Sequence, residues 1–245
     1  MRTAIFTATG LVCCTAALGQ EPDRQPGEVK AILKQAAEAM KQAKTVGYDA
    51  EYHGTEWAVN VVPAVTGRAV VGPRAEHDID RFSCEVTIQA SGSEEKSRYT
   101  AGCNGTEFYL LDQQKKTAYQ DMDQAVLGSE GRNIMRVLLR DFAEPDPFAD
   151  VLESGSAEMK PDAEVAGEAC VVVFVKPKEG PETTWYFSKK DHLPRRVVRH
   201  YENREGEPGT TELTLTNLVV NPSFVRSPFE LIVPDGYEKT DEFAP

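Results

Sequence analysis

Arg81-Phe82-Ser83-Cys84-Glu85-Val86-Thr87-Ile88-Gln89 alternates apolar and polar residues without a break. Successive side chains of an extended chain point to opposite faces, so Phe82, Cys84, Val86 and Ile88 share one side and Ser83, Glu85 and Thr87 the other. Outward from this strand the same period recurs. Residues 96–101 return antiparallel after the turn Gly92-Ser93-Glu94-Glu95, and 107–111 and 116–120 form a hairpin across Asp112-Gln113-Gln114-Lys115. Upstream, 48–52 alternates, 56–62 continues it up to Pro63, and 67–71 is a weaker candidate. Downstream, strands are expected at 163–166, 169–176, 183–188, 195–201, 210–218 and 229–233. Turn signals such as Lys178-Glu179-Gly180-Pro181 and Gly206-Glu207-Pro208-Gly209 separate them. Hairpin-length connections argue a meandering antiparallel sheet and not parallel β-α-β units.

Two helical regions punctuate the strands. Over residues 28–44, Val29, Ile32, Leu33, Ala36, Met40 and Ala43 recur at three- and four-residue spacing and share one face, with Gly47 as a stop. An insertion at 122–152 carries helical spacing at Ile134, Val137, Leu138 and Phe142 and is closed by Pro145 and Pro147, with a further turn at Phe148, Val151 and Leu152. The fold class is therefore α+β, mainly antiparallel β, in one domain over 28–245 behind a polar lead at 20–27. These helices are the only elements available to cover the apolar face of a long, twisted sheet, which leaves room for a cavity.

The first nineteen residues read as a secretory signal: Arg2 is their single charge, residues 4–18 are mostly apolar, and Ala17-Leu18-Gly19 offers small residues for cleavage after Gly19. The stretch is shorter than the ~20 apolar residues of a membrane span. Lipidation at Cys14 would put Cys13 where a small residue belongs, so an exported, soluble, periplasmic protein is expected. Removing Arg2 takes the formal net charge from −12 to −13. That acidity disfavours a nucleic-acid partner and tight adsorption to anionic lipid.

Cys84, Cys103 and Cys170 remain after cleavage. If Ser91 pairs with Lys96, Cys84 falls opposite Cys103 and an oxidising compartment permits a bridge; a slip of one residue separates them. Cys170, in the apolar run 169–175, reads as a buried thiol. His53, His77, His192 and His200 lack metal-ligand spacing, and the sequence contains no Cys-x-x-Cys, Gly-x-Ser-x-Gly or phosphate-loop motif. No catalytic residue, metal or cofactor is expected. Glu76-His77-Asp78-Ile79-Asp80 reads as a solvated acidic edge. Lys189, Lys190, Arg195, Arg196 and Arg199 form a basic stretch: a solvated hairpin, or a docking patch for a phosphate-bearing head group or acidic partner.

Three segments resemble periplasmic lipoprotein carriers of the LolA and LolB type. Residues 103–110 (Cys-Asn-Gly-Thr-Glu-Phe-Tyr-Leu) are similar to a hairpin of that group, Thr184-Trp185-Tyr186-Phe187 with Leu193-Pro194-Arg195 to a strand pair, and 229–237 to its closing segment. Asn104 stands where aspartate is usual and Phe108 where tryptophan is common; Arg68 and Arg74 are the candidates for an arginine that anchors the lid. The resemblance implies an unclosed half β-barrel in which the N-terminal helix and the insertion form a lid over an apolar cavity. It also implies a non-catalytic carrier of lipoprotein acyl chains or another lipid. On that reading Phe82, Val86, Ile88, Phe108, Val172, Phe174, Trp185 and Phe187 line the cavity. Alternatives are an envelope interaction or stress-sensing module of the same fold with a filled interior, which would have a protein partner, and an exported hydrolase with a dispersed triad.

Overall fold

A computed structural model describes residues 26–73, 81–122, 129–153 and 155–240. The expected leader at 1–19, Arg74, the acidic stretch 76–80 and residues 123–128 of the insertion lie outside the described residues.

Helix α1 (Pro26–Gln42) opens with proline, whose missing N–H is one the first helical turn leaves unpaired anyway. Its stripe Val29, Leu33, Ala36 and Met40 is buried, as is Ala43 just beyond it. Six strands follow as a meander: β1 (Val46–Glu56), β2 (Ala64–Val71), β3 (Phe82–Gln89), β4 (Lys96–Cys103), β5 (Phe108–Asp112) and β6 (Thr117–Met122). The insertion holds α2 (Ser129–Ile134), two 3-10 turns (Met135–Val137 and Arg140–Ala143) and α3 (Ala149–Glu153). A second meander comprises β7 (Ser156–Val165), β8 (Glu168–Lys176), β9 (Thr183–Ser188), β10 (Pro194–Glu202) and β11 (Pro208–Val220), and the short β12 (Glu238–Thr240) closes the chain.

All twelve strands form one sheet in the order β12-β6-β5-β4-β3-β2-β1-β11-β10-β9-β8-β7. Pairing of β1 with β11 joins the two meanders, and only the β12–β6 contact is parallel. The sheet does not close on itself: β7 is a free edge at one end and β12 at the other.

Register places one row of side chains on the same face across eight consecutive strands: Ile88, Val65, Tyr52, Leu213, Val197, Trp185, Val173 and Met159. This inner face shares one continuous core with α1 and the insertion. The α+β class, the unclosed antiparallel sheet and the helices on one face are those expected from sequence.

Several boundaries differ for physical reasons. Residues 57–60 turn into a 3-10 helix, because Glu56 adopts a left-handed conformation (φ 53°) that ends the strand. Residues 229–233 form no strand. The helix expected over 134–142 breaks at Leu138, which is extended (ψ 120°), and at Leu139, which is also non-helical (ψ 88°). The main-chain groups freed there find a partner elsewhere in the fold. Registration of β3 with β4 is two residues away from the expected one: Cys84 lies opposite Ala101, and Cys103 opposite Phe82. Cys84, Cys103 and Cys170 are all free thiols.

Candidate functional site

Six of the eight expected lining residues, Phe82, Val86, Ile88, Phe108, Trp185 and Phe187, stand on the inner face. Val172 and Phe174 do not. The inner side of β8 belongs to Val171, Val173 and Val175, each opposite an inner residue of β9. Phe174 faces outward, edge-on to His200 (centroids 5.6 Å) and beneath the ammonium groups of Lys160 and Lys176. The run 169–175 is apolar at nearly every position, so its period does not say which side faces in.

The inner face is covered. Trp185, Phe82 and Ile88 retain 5% of their surface or less, so the expected shortage of lid is not what these residues meet. Above Trp185 sits Phe148 of the insertion, edge-on to its ring at 5.0 Å and to that of Phe187 at 5.6 Å, while Trp185 and Phe187 stack at 5.8 Å. Phe148 holds a left-handed backbone (φ 67°), an unusual conformation for a bulky residue, in order to reach this slot.

Polar ties fasten the cover. The Tyr48 hydroxyl donates to the Val137 carbonyl (3.1 Å) and accepts from the Leu139 N–H (2.9 Å). It thereby satisfies the groups freed where the helix breaks, and burial pushes its own pKa well up. Arg136 donates from Nη1 to the Tyr52 oxygen at 2.5 Å. Arg199 of β10, on the inner face opposite Thr183 and Thr211, reaches Asp141 at 3.9 Å. Desolvation raises the Asp141 carboxyl pKa, and the Arg199 charge opposes that shift. Lys41 of α1 pairs with Asp146 at 2.5 Å, linking helix to insertion.

These ties were not read from sequence. Tyr48, Tyr52, Arg136, Asp141 and Phe148 carry no motif, and in the sequence Arg199 is one member of the basic stretch 189–199. Arg68, one of the two candidate lid arginines, lies on the outer side and pairs with Asp49 at 3.3 Å.

The basic stretch is dispersed, not a patch. Arg195 is buried and donates to Glu168 (2.7 Å) and Asp191 (2.7 Å). Glu168 is held below the usual carboxylate range by its hydrogen bonds with Arg195 and Ser188. Lys189 pairs with Asp162 at 2.5 Å. Arg196 lies on the outer face over the Tyr186 ring, and Arg199 points inward. Lys189, Lys190 and Arg195 do share the wall of a groove of about 920 Å³ with Glu168, Asp191 and Leu218. Among the described residues no group of three or more His, Cys, Asp or Glu could hold a metal ion. His200 accepts or donates one hydrogen bond with Thr184 Oγ1 at 2.9 Å on the outer face. The inner face is apolar and covered by the insertion.

The profile of a family described as predicted periplasmic protein (DUF2092) matches residues 29–241. The chain belongs to the DUF2092 family. That places this DUF2092 protein in the periplasmic class expected from its leader, and none of its described helices is long and apolar enough to cross a membrane. No curated protein matches it. Among solved structures it is similar to LprF from Mycobacterium bovis (11% identity, TM-score 0.50, covering 83% of this chain and 98% of that one). It is also similar to the lipoprotein LppX from Mycobacterium tuberculosis (10% identity, TM-score 0.47, covering 82% and 100%). A third likeness is to MucB in the Pseudomonas aeruginosa MucA/MucB complex (12% identity, TM-score 0.44, covering 83% and 61%). The DUF2092 chain thus spans less than two thirds of the MucB chain it matches. At 11% identity the likeness to LprF is one of fold alone.

Proposed function

We propose that this DUF2092 protein is a non-catalytic periplasmic carrier that holds a lipid acyl chain, of a lipoprotein or another lipid, between the inner face of its sheet and the helical cover. The observation that carries the reading is the eight-strand apolar row, roofed by an insertion whose helix is interrupted at Leu138–Leu139, where the Tyr48 hydroxyl of the sheet pairs the freed main-chain groups. In the closed form, Phe148 and the leucines of the insertion take up the space next to Trp185 and the β1–β3 strands. An acyl chain replaces their contacts when the cover lifts. Burying it contributes about 0.8 kcal/mol per methylene, so about 10 kcal/mol for a long chain, enough to offset the loss of a few lid contacts. Release then requires the cover to return and compete for the same surface.

A second reading, the same fold acting as an interaction or stress-sensing module with a filled interior, is favoured by the near-complete burial of Trp185, Phe82 and Ile88. One experiment separates the two. The chain has two tryptophans, and Trp57→Phe leaves Trp185 as the sole emitter. Titration with a 16-carbon fatty acid brominated along its chain should quench Trp185 saturably. Bromine that leaves Trp185 emission unchanged refutes the carrier and leaves the filled module.

A further inference from the structure

The end of β11 and the loop that follows expose four large apolar residues close together. Val219 keeps 52% of its surface, Val220 40% and Phe224 44%, while Val225 is fully exposed. Scattered exposed apolar residues are ordinary. Four within seven positions are not scattered, and these are held out on a built support. On one side of the loop Pro222 sits against Gly47, where an added Cβ would meet its ring at 4.0 Å; on the other, the Phe229 ring lies on Gly72, where a Cβ would come within 2.6 Å. At the root, Asn221 donates its N–H to the Thr45 carbonyl (2.7 Å) and accepts from the Thr45 N–H through Oδ1 (3.0 Å). The loop is thus pinned at 221–222 and 229, and residues 223–228 project between the pins.

Charge separates this tip from the rest of the chain. Acidic residues number 39 in 245, yet none occurs from Leu213 to Phe229, and the one charge there is Arg226. Lys44 precedes Thr45 at the root, and Lys190 borders the groove that runs alongside residues 215–218. The nearest carboxylate on β1, Asp49, is occupied by Asn217 (2.7 Å) and Arg68 (3.3 Å).

We propose that this tip docks the protein on an anionic lipid bilayer, with Val219, Val220, Phe224 and Val225 entering the head-group boundary and Arg226 and Lys44 meeting lipid phosphates. Apolar insertion combined with a local positive charge is how a protein rests on a membrane without spanning it. Within 213–229 the chain carries Arg226 and no carboxylate, and Glu168 and Asp191 of the adjoining groove are paired with Arg195, which lets this part of an otherwise strongly acidic molecule approach a surface of its own sign. The other exposed large apolar residues that are described, Val59, Val61, Tyr201 and Ile232, are more dispersed along the chain than the four of the tip, so a second copy would have to meet the tip with its own tip, bringing Arg226 against Arg226. The inference stands apart from the carrier reading: it concerns an outer surface and is measured without acyl-chain uptake.

The test is flotation of the protein with vesicles of phosphatidylethanolamine and phosphatidylglycerol, against vesicles of phosphatidylcholine alone. The wild type should float with the anionic vesicles and weakly with the neutral ones. Phe224→Asp with Val225→Asp should lower the bound fraction about tenfold or more, with an unchanged melting temperature because both side chains are exposed. Arg226→Glu should weaken binding to anionic vesicles and leave the neutral ones unaffected. Wild-type protein that stays at the bottom of the gradient overturns the proposal, as does a double variant that floats equally well. Self-association abolished by the same double variant, without flotation of the wild type, would assign the tip to a second copy and also overturn it.

Discussion

Replacing Tyr48 with phenylalanine deletes one oxygen and keeps the ring that packs beside Phe142 (centroids 6.3 Å). What is lost is the partner of two main-chain groups, the Val137 carbonyl and the Leu139 N–H, in residues with no measurable exposure. Each buried group left without a partner costs about 1–3 kcal/mol, and main-chain relaxation spares part of the upper range for two adjacent groups, so Tyr48→Phe should destabilise the fold by about 2–4 kcal/mol. For a chain of this length that corresponds to a fall in melting temperature of about 5–15 °C. Urea titration followed by circular dichroism measures the total, with Tyr201→Phe as a control at an exposed position. Amide hydrogen exchange localises it: Leu139 should lose protection before the β1 and β2 strands do, because the cover detaches first. A loss below about 0.5 kcal/mol, or protection at Leu139 that falls only with the strands, would refute the idea that this hydroxyl seats the broken helix.

The acid limb of stability should depend on Glu168. Its pKa is depressed from an ordinary 4.5 chiefly by the hydrogen bond from Arg195, so its contribution is present above that value and is lost as pH falls through the depressed one. In Glu168→Gln the decline in stability between pH 4.5 and strongly acid solution should be shallower than in the wild type; a parallel decline excludes this ion pair as a cause. Cys84, Cys103 and Cys170 are buried, and burial pushes the Cys84 pKa up to about 12. A thiol-reactive maleimide should label none of them until denaturant is added, and reductant should leave the intact mass of the protein unchanged. Rapid native labelling would contradict the burial of these thiols, and a bridged Cys84–Cys103 pair would contradict the register of β3 and β4.

Where one periodicity could act alone, sequence was sufficient. Residues 81–89 alternate cleanly and became β3 with Phe82, Cys84, Val86 and Ile88 inward. The α1 stripe was equally legible because the opposite face is charged. Position within the sheet was harder. β7 begins seven residues before the expected strand, because an edge strand carrying Glu158, Lys160, Pro161 and Asp162 looks like loop when read for hydrophobicity. Val172 and Phe174 fell on the wrong face because β8 is apolar on both. The strand pairing that would separate Cys84 from Cys103 depends on a turn whose register two residues either way fits equally well. Nothing local announced the lid ties: the helix at 134–142 breaks only because Tyr48, some ninety positions away in the chain, supplies what the break removes.

Because the sheet ends at β7 and β12 without joining them, its width is not locked by a ring of hydrogen bonds as in a sealed cylinder. Each edge is blunted in its own way, β12 by brevity and β7 by charges, a proline and an irregular register between Lys160 and Ala163. Such a gutter can splay or tighten by small changes of twist spread over many strands. Accommodation of a bulkier occupant would then show as a change in curvature, with every backbone pairing retained.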